Sequence, residues 1–195
     1  MKESQPLLPL LRSRVQGDLL ALLYLHPDRD YSLTEAARLI GASLKAVHAE
    51  ASRLVNSGFI ADSRRGSNRL IRAVTDSPLS QPLTDLLVVT YGPVPVLTDL
   101  LSGVPGVERA FIFGSWAARY QGEIGGVPND VDVLVVGTID RDVLYDIAIA
   151  AQDTLHREVS VHRADPATWA SPPPSDVFYR HLQERPLVEL KVRPA

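Results

Sequence analysis

Apolar and polar positions alternate at helical spacing over residues 12–25 and stop at Pro27, which predicts a first helix. Ser32-Leu-Thr-Glu35 has the form of a capping box: the Ser hydroxyl accepts an orphan helix N–H and the Glu reaches back. The helix it opens, residues 33–40, ends at Gly41. Ser43 is placed to cap another, residues 44–57, closed by Gly58 where a left-handed residue is favoured. On this helix Leu44, Val47, Ala51, Leu54 and Val55 form one apolar stripe, the expected core face. The opposite face presents Lys45, Ala49, Ser52, Arg53 and Asn56, with His48 at the edge between them. Residues 59–61 and 70–74 read as two short strands flanking Ser63-Arg-Arg-Gly-Ser-Asn68, a hairpin. A polar, proline-containing linker follows over residues 75–81. Leu83, Leu86, Leu87 and Thr90 then mark a short helix, broken at Tyr91-Gly-Pro-Val-Pro95.

In the second half, Leu97, Leu100 and Leu101 continue as a helix into a turn at residues 103–106. An apolar strand, Arg109-Ala-Phe-Ile-Phe113, runs into Gly114-Ser115. Fifteen residues later, Asp130-Val-Asp132 opens another strand, Val133-Leu-Val-Val136. Residues 140–155 make an amphipathic helix with acidic residues at its start, as its dipole favours. A strand at 158–161, a rigid Pro172-Pro-Pro174 spacer, a helix over 177–184 and a strand at 187–192 complete the pattern, which contains no repeat.

Two features carry chemistry. Residues two apart on a strand share a face, so Asp130 and Asp132 converge on one point. Two carboxylates so close repel unless a cation lies between them, and oxygen-only ligands suit Mg²⁺ or Mn²⁺. A Gly-Ser turn entering a helix offers N–H groups and a hydroxyl to phosphate oxygens. Together these describe a metal–triphosphate site. The other feature is basic: Arg64, Arg65, Arg69 and Arg72 lie on the hairpin, spaced to bracket phosphates, and residues 43–73 hold six basic against two acidic side chains.

Composition sharpens the division. The 195 residues suffice for one large domain or two small ones, and the net charge of −3 is unevenly spread. Residues 1–80 carry eleven Lys/Arg against eight Asp/Glu; residues 81–195 carry nine against fifteen. Such a split predicts halves with different partners. With no cysteine, disulfides, thiolate metal sites and cysteine nucleophiles are excluded. His26, His48, His156, His162 and His181 have no metal-ligand spacing and read as surface or capping residues. No apolar run approaches the ~20 residues of a membrane span. With a single early Lys, two early prolines and no leader pattern, the expectation is a cytoplasmic protein without a membrane partner.

The helix pair with its hairpin resembles the winged helix of small bacterial repressors of the ArsR type. The run Phe113-Gly-Ser-Trp-Ala-Ala-Arg119 followed by Asn129-Asp-Val-Asp-Val-Leu-Val-Val136 resembles the minimal nucleotidyltransferases of the DNA polymerase β superfamily, over roughly residues 93–163. The resemblance implies an α+β chain: a winged helix-turn-helix DNA-binding domain at 1–76, a connecting linker and helix at 77–92, and a nucleotidyltransferase-like α/β domain with a small mixed sheet at 93–195. It implies Asp130 and Asp132 as metal ligands and Gly114 and Ser115 as triphosphate ligands. The DNA-contacting set is Lys45, Ser52, Arg53, Asn56, Arg64, Arg65, Arg69 and Arg72.

Two departures stand out. The spacer at residues 120–128 is longer than in compact members. The third carboxylate of active members, which helps activate the attacking hydroxyl, aligns with Ser160; Glu158, two residues earlier on the same face, is the candidate catalytic substitute. Proteins of this combined type are described as transcriptional regulators or as antitoxin-related. The leading expectation is therefore a regulator of double-stranded DNA, a homodimer, whose second domain binds Mg²⁺–NTP. The rival is an active enzyme transferring a nucleotidyl group from NTP to a hydroxyl of a protein, such as a toxin partner, or of a small molecule. A third reading is a dimerisation scaffold without activity.

Overall fold

The computed structural model describes residues 11–195, and the expectations about the first residues lie outside them. The chain divides into two compact units, residues 1–92 and 93–195.

In the first unit, α1 (Arg14–Tyr24) is capped by Ser13, whose Oγ accepts from Gln16 N at 3.1 Å. A two-residue strand, β1 (Tyr31–Ser32), leads into α2 (Leu33–Leu39), and Ser32 Oγ accepts from Glu35 N at 3.1 Å as the capping box requires. Gly41, at φ +62°, turns the chain into α3 (Leu44–Asn56), where Ser43 Oγ accepts from Ala46 N at 3.2 Å. Then come β2 (Ile60–Arg65) and β3 (Asn68–Ala73), an antiparallel hairpin, and α4 (Ser80–Tyr91). The sheet order β1-β3-β2 makes this a helix-turn-helix followed by a wing. The wing strands run closer to the turn than the sequence predicts: Arg65 pairs with Asn68, so Gly66 (φ +61°) and Ser67 alone form the turn.

The core of this unit joins Leu19, Leu23, Tyr31, Val47, Ala51 and Ile71, all fully buried. Tyr24 is buried among them and its hydroxyl donates to Phe59 O at 2.7 Å and Val74 O at 3.3 Å, tying α1 to both ends of the wing. The predicted core stripe of α3 needs correction. Leu44 is 50% exposed and Val55 half-buried, whereas Glu50 is buried. A charged residue takes the place expected of an apolar one because it has partners: its Oε1 accepts from Arg12, from Ser13 Oγ at 3.3 Å and from Arg53 Nη1 at 3.1 Å.

The second unit comprises α5 (Pro93–Leu101), β4 (Val107–Phe113), α6 (Gly114–Tyr120), β5 (Asp130–Gly137), α7 (Arg141–Leu155), β6 (Glu158–Ala164), α8 (Pro166–Ala170), α9 (Val177–Gln183) and β7 (Val188–Leu190). Its sheet has the order β6-β5-β4-β7 and is mixed: β5 and β6 are parallel, and the other two ladders antiparallel. One face presents Ala110, Ile112, Val131, Val133, Val135 and Val159, all buried, while α5 packs on β4 and α7 on β6. On the other face Phe111, Phe113, Leu134, Val136 and Ala164 pack with Trp169 of α8 and Leu182 of α9. Asp130 and Asp132 belong to this second face by strand alternation, at the end the aromatic cluster leaves uncovered. The sequence does not predict α8, although Asp165 caps it and Pro166 opens it.

Ser80–Leu101 is a stretch of 22 residues that by length and composition alone is apolar enough to cross a membrane. The run is interrupted at Gly92, whose backbone is extended (φ −77°, ψ −169°), and its halves serve separate cores: Leu87 and Val88 are buried in the first unit, Leu97 and Leu101 in the second.

Candidate functional site

On α3 the spacing i, i+4, i+7, i+11 places Lys45, Ala49, Ser52 and Asn56 on one stripe, opposite buried Val47, Ala51 and Leu54. Lys45, Ala49, Arg53 and Asn56 are exposed and Ser52 is half-buried. The cap at Ser43 fixes where this helix begins, and therefore which side chains stand outside.

The wing does not present its four arginines as one set. Cross-strand partners share a face, so Arg64 and Arg69 lie on the side of Ile60, Ile71 and Ala73, whereas Arg65 and Arg72 lie on the other. Arg69 is engaged within the unit: its Nε donates to Asp62 Oδ2 at 2.6 Å and its Nη1 to Ser52 Oγ at 3.0 Å. Ser52 and Arg69 thus brace α3 against the wing. Arg53 holds Glu50. Arg64, Arg65 and Arg72 are exposed and have no ion pair among the described residues. Of the eight residues expected on this surface, Lys45, Asn56, Arg64, Arg65 and Arg72 remain open, while Ser52, Arg53 and Arg69 have structural partners.

In the second unit, Asp132 lies opposite Phe113 on β4 and opposite Ser160 on β6, and Asp130 lies opposite Glu158. All four polar residues therefore share one face. Gly114 has φ +69°, and a Cβ built there would stand 2.7 Å from Asp132 Oδ2. The Gly-Ser turn is pressed against the second carboxylate, and only glycine permits both the conformation and the approach. Ser115 is exposed beside it.

Burial pushes the Asp132 carboxyl above the usual carboxylate range; Asp130 adds to the rise, His162 opposes it, and Glu158 adds further. His162 lies at the surface, as the sequence predicts, and it also faces this site. It lies two residues beyond Ser160 on the same face, packs its ring 5.6 Å from that of Phe113, and is exposed. Strand alternation carries this signal, since β6 runs to Ala164, beyond the predicted end at residue 161.

Among the described residues no three His, Cys, Asp or Glu side chains gather closely enough to hold a metal ion by themselves. Mg²⁺ ordinarily takes one or two carboxylates and completes its shell with water and substrate phosphates. Asp130 and Asp132, with a turn whose missing Cβ leaves room at Asp132 Oδ2, fit that mode and not an all-protein cage.

The loop between α6 and β5 is fastened at both ends. Arg119 donates from Nη1 to Glu123 O and from Nη2 to Gly126 O, each at 2.6 Å, and Arg157 donates to Pro128 O. The Arg157 guanidinium also lies 5.2 Å from the centre of the Trp116 ring.

No family model and no curated protein matches the chain. Among solved structures it is similar to reduced HlyU from Vibrio cholerae, at 17% identity over 45% of this chain and 86% of that one, with a TM-score of 0.37. It is also similar to wild-type MarR from E. coli, at 16% identity over 44% of this chain and 62% of that one, with a TM-score of 0.35. A further likeness is to a homodimeric winged helix-turn-helix DNA-binding domain from Mycobacterium bovis, described as a possible ArsR-family transcriptional regulator. There the identity is 19% over 46% of this chain and 87% of that one, with a TM-score of 0.31. Each likeness spans less than half of this chain.

Proposed function

We propose that the chain is a cytoplasmic transcriptional regulator that reads double-stranded DNA as a homodimer, with a nucleotidyltransferase-like second unit that binds Mg²⁺–NTP or Mn²⁺–NTP. The carrying observation is the outward stripe of α3, Lys45 to Asn56, next to a wing whose Arg64, Arg65 and Arg72 have no ion pair among the described residues. A helix enters the major groove with polar side chains toward base edges, while arginines outside it contact phosphates. The exposed apolar residues of α4, Leu86 and Val89, support the dimer. A gel shift across promoter fragments tests the reading; absence of binding at low salt removes it.

The nucleotide reading is supported by the Gly114 turn against Asp132 and by Asp130 on the same face. A bound divalent ion would supply charge neutralisation for the phosphates. The residues of this chain would do the rest: Asp130 and Asp132 orient the ion, and the turn at Gly114 and Ser115 receives phosphate oxygens.

Transfer to a protein or small-molecule hydroxyl is the second reading, favoured by Glu158 standing opposite Asp130. Against it, the position opposite Asp132 is Ser160, which cannot accept a proton as a carboxylate would. Incubation with labelled ATP, Mg²⁺ or Mn²⁺ and a host lysate separates the two: label on an acceptor, lost in Glu158→Gln and kept in Ser160→Ala, establishes transfer.

A further inference from the structure

We propose that the rings of Phe178 and His162 form a stacking seat for the nucleobase of the bound nucleotide; this rests on the nucleotide reading of the same site and adds the base to it. Phe178 stands on α9, 44% exposed, and Leu182, four residues on, is buried in the core. The Phe178 ring is 5.6 Å from that of His162 and 6.1 Å from that of Phe113, and His162 is 5.6 Å from Phe113. These three rings come from three elements: α9, β6 and β4.

Their position gives the cluster its meaning. Phe113 is the residue before Gly114 and the cross-strand partner of Asp132. The ring cluster therefore starts where the candidate phosphate turn starts. His162 follows Ser160, the partner of Asp132, on the same strand face. A ligand with its anionic end at Gly114, Ser115 and Asp132 has this aromatic wall beside it.

The chemistry of the wall selects the ligand. Phe178 offers a π-face and no hydrogen-bonding group, His162 offers a flat ring with a polar edge, and buried Phe113 backs them both. Such a surface suits a flat, weakly polar heterocycle. It stacks on every base and discriminates little among them, since each base has a π-face. A site that ended at the carboxylates would instead bind any Mg²⁺-borne triphosphate equally well.

The experiment is calorimetry on the full chain with two probes, Mg²⁺–ATP and Mg²⁺–tripolyphosphate, which lacks a base. Wild-type protein should bind ATP more tightly than tripolyphosphate by about 5- to 150-fold, the worth of one stacked base. Phe178→Ala should remove most of that margin and leave tripolyphosphate binding unchanged. Phe178→Trp and His162→Phe, which keep the rings, should retain it, whereas Phe178→Leu should not. Equal binding of both probes by wild-type protein overturns the seat while leaving the phosphate site standing, and needs no variant. A Phe178→Leu protein as tight as Phe178→Trp also overturns it, because the contact would then be apolar burial without stacking. Failure of wild-type protein to bind either probe removes the nucleotide reading itself, and the seat with it.

Discussion

Ser52 and Arg69 are joined across the first unit: the hydroxyl of the one accepts from the guanidinium of the other at 3.0 Å, and the same guanidinium holds Asp62. The consequence is a division of labour among arginines that look equivalent in sequence. Arg69→Ala should loosen the wing against α3, weakening DNA binding and lowering stability together. A hydrogen bond to a charged group contributes about 1.5–3 kcal/mol, less here because Arg69 remains partly solvated. Arg64→Ala and Arg65→Ala should leave the melting temperature within error, weaken binding to all sequences alike, and reduce the salt slope by roughly one each. Thermal melts beside salt-dependent binding isotherms distinguish the two behaviours.

Lys45 and Asn56 stand on the stripe without such partners among the described residues. Their substitution by Ala should change which operator sequences are preferred, at about 1–3 kcal/mol per lost base contact, and leave non-specific affinity nearly intact. Selection from a randomised DNA pool would read the change; an unaltered preference would mean that this stripe does not face bases.

At the carboxylate site, Gly114→Ala should be as damaging as Asp132→Asn. Its methyl group would meet Asp132 Oδ2 at 2.7 Å, and the left-handed conformation costs a non-glycine residue about 1–2 kcal/mol. Calorimetry should find Mg²⁺–ATP binding lost in both. Ser160→Asp, by adding a carboxylate opposite Asp132, should raise metal affinity in the otherwise unaltered protein.

Gly17 packs against Tyr91: a Cβ at Gly17 would lie 2.1 Å from the Tyr91 hydroxyl oxygen. Gly17→Ala should therefore force α1 and α4 apart or turn the ring, at about 1–3 kcal/mol. The Tyr91 hydroxyl is pushed up to about 12, chiefly by burial, so it stays protonated and in place throughout the physiological range. Adding Tyr91→Phe to Gly17→Ala should recover part of the loss in a urea titration.

Arg109 donates to Glu189 at 2.7 Å and joins β4 to the short edge strand β7. That hydrogen bond holds the Glu189 carboxyl below its ordinary range. A carboxyl lowered on folding contributes stability above its unfolded pKa and loses it as pH falls through the folded value. Both side chains are half exposed, so solvent screening limits the contribution to about 0.2–1 kcal/mol. The stability difference between wild type and Glu189→Gln should be present at pH 7 and absent well into the acid range.

What the sequence made legible was local. Ser32 and Ser43 announce their helices because capping involves residues three apart, and Asp130 with Asp132 announces a shared face because strands alternate. What it hid was long-range. Tyr31–Ser32 is a strand only because Ile71 and Leu70 lie beside it. Glu50 reads as a polar residue until Arg12, thirty-eight positions earlier, makes its burial tolerable. His162 was missed by a single residue of strand length, and the loss of Arg69 from the open surface depended on Asp62 and Ser52 being within its reach.

The strand order also sets a timetable. Every strand and helix of the first unit has its partners by Tyr91, so that unit can fold while the ribosome is still making the rest. In the second unit β4 is made early, but one edge waits for Val188–Leu190 and for the backbone at Arg193, whose carbonyl accepts from Gly103 N. The carboxylate site is thus assembled on a sheet that closes only once Val188–Leu190 has been made. A chain stalled before Val188 would carry a folded winged helix and a β4 edge left open and sticky.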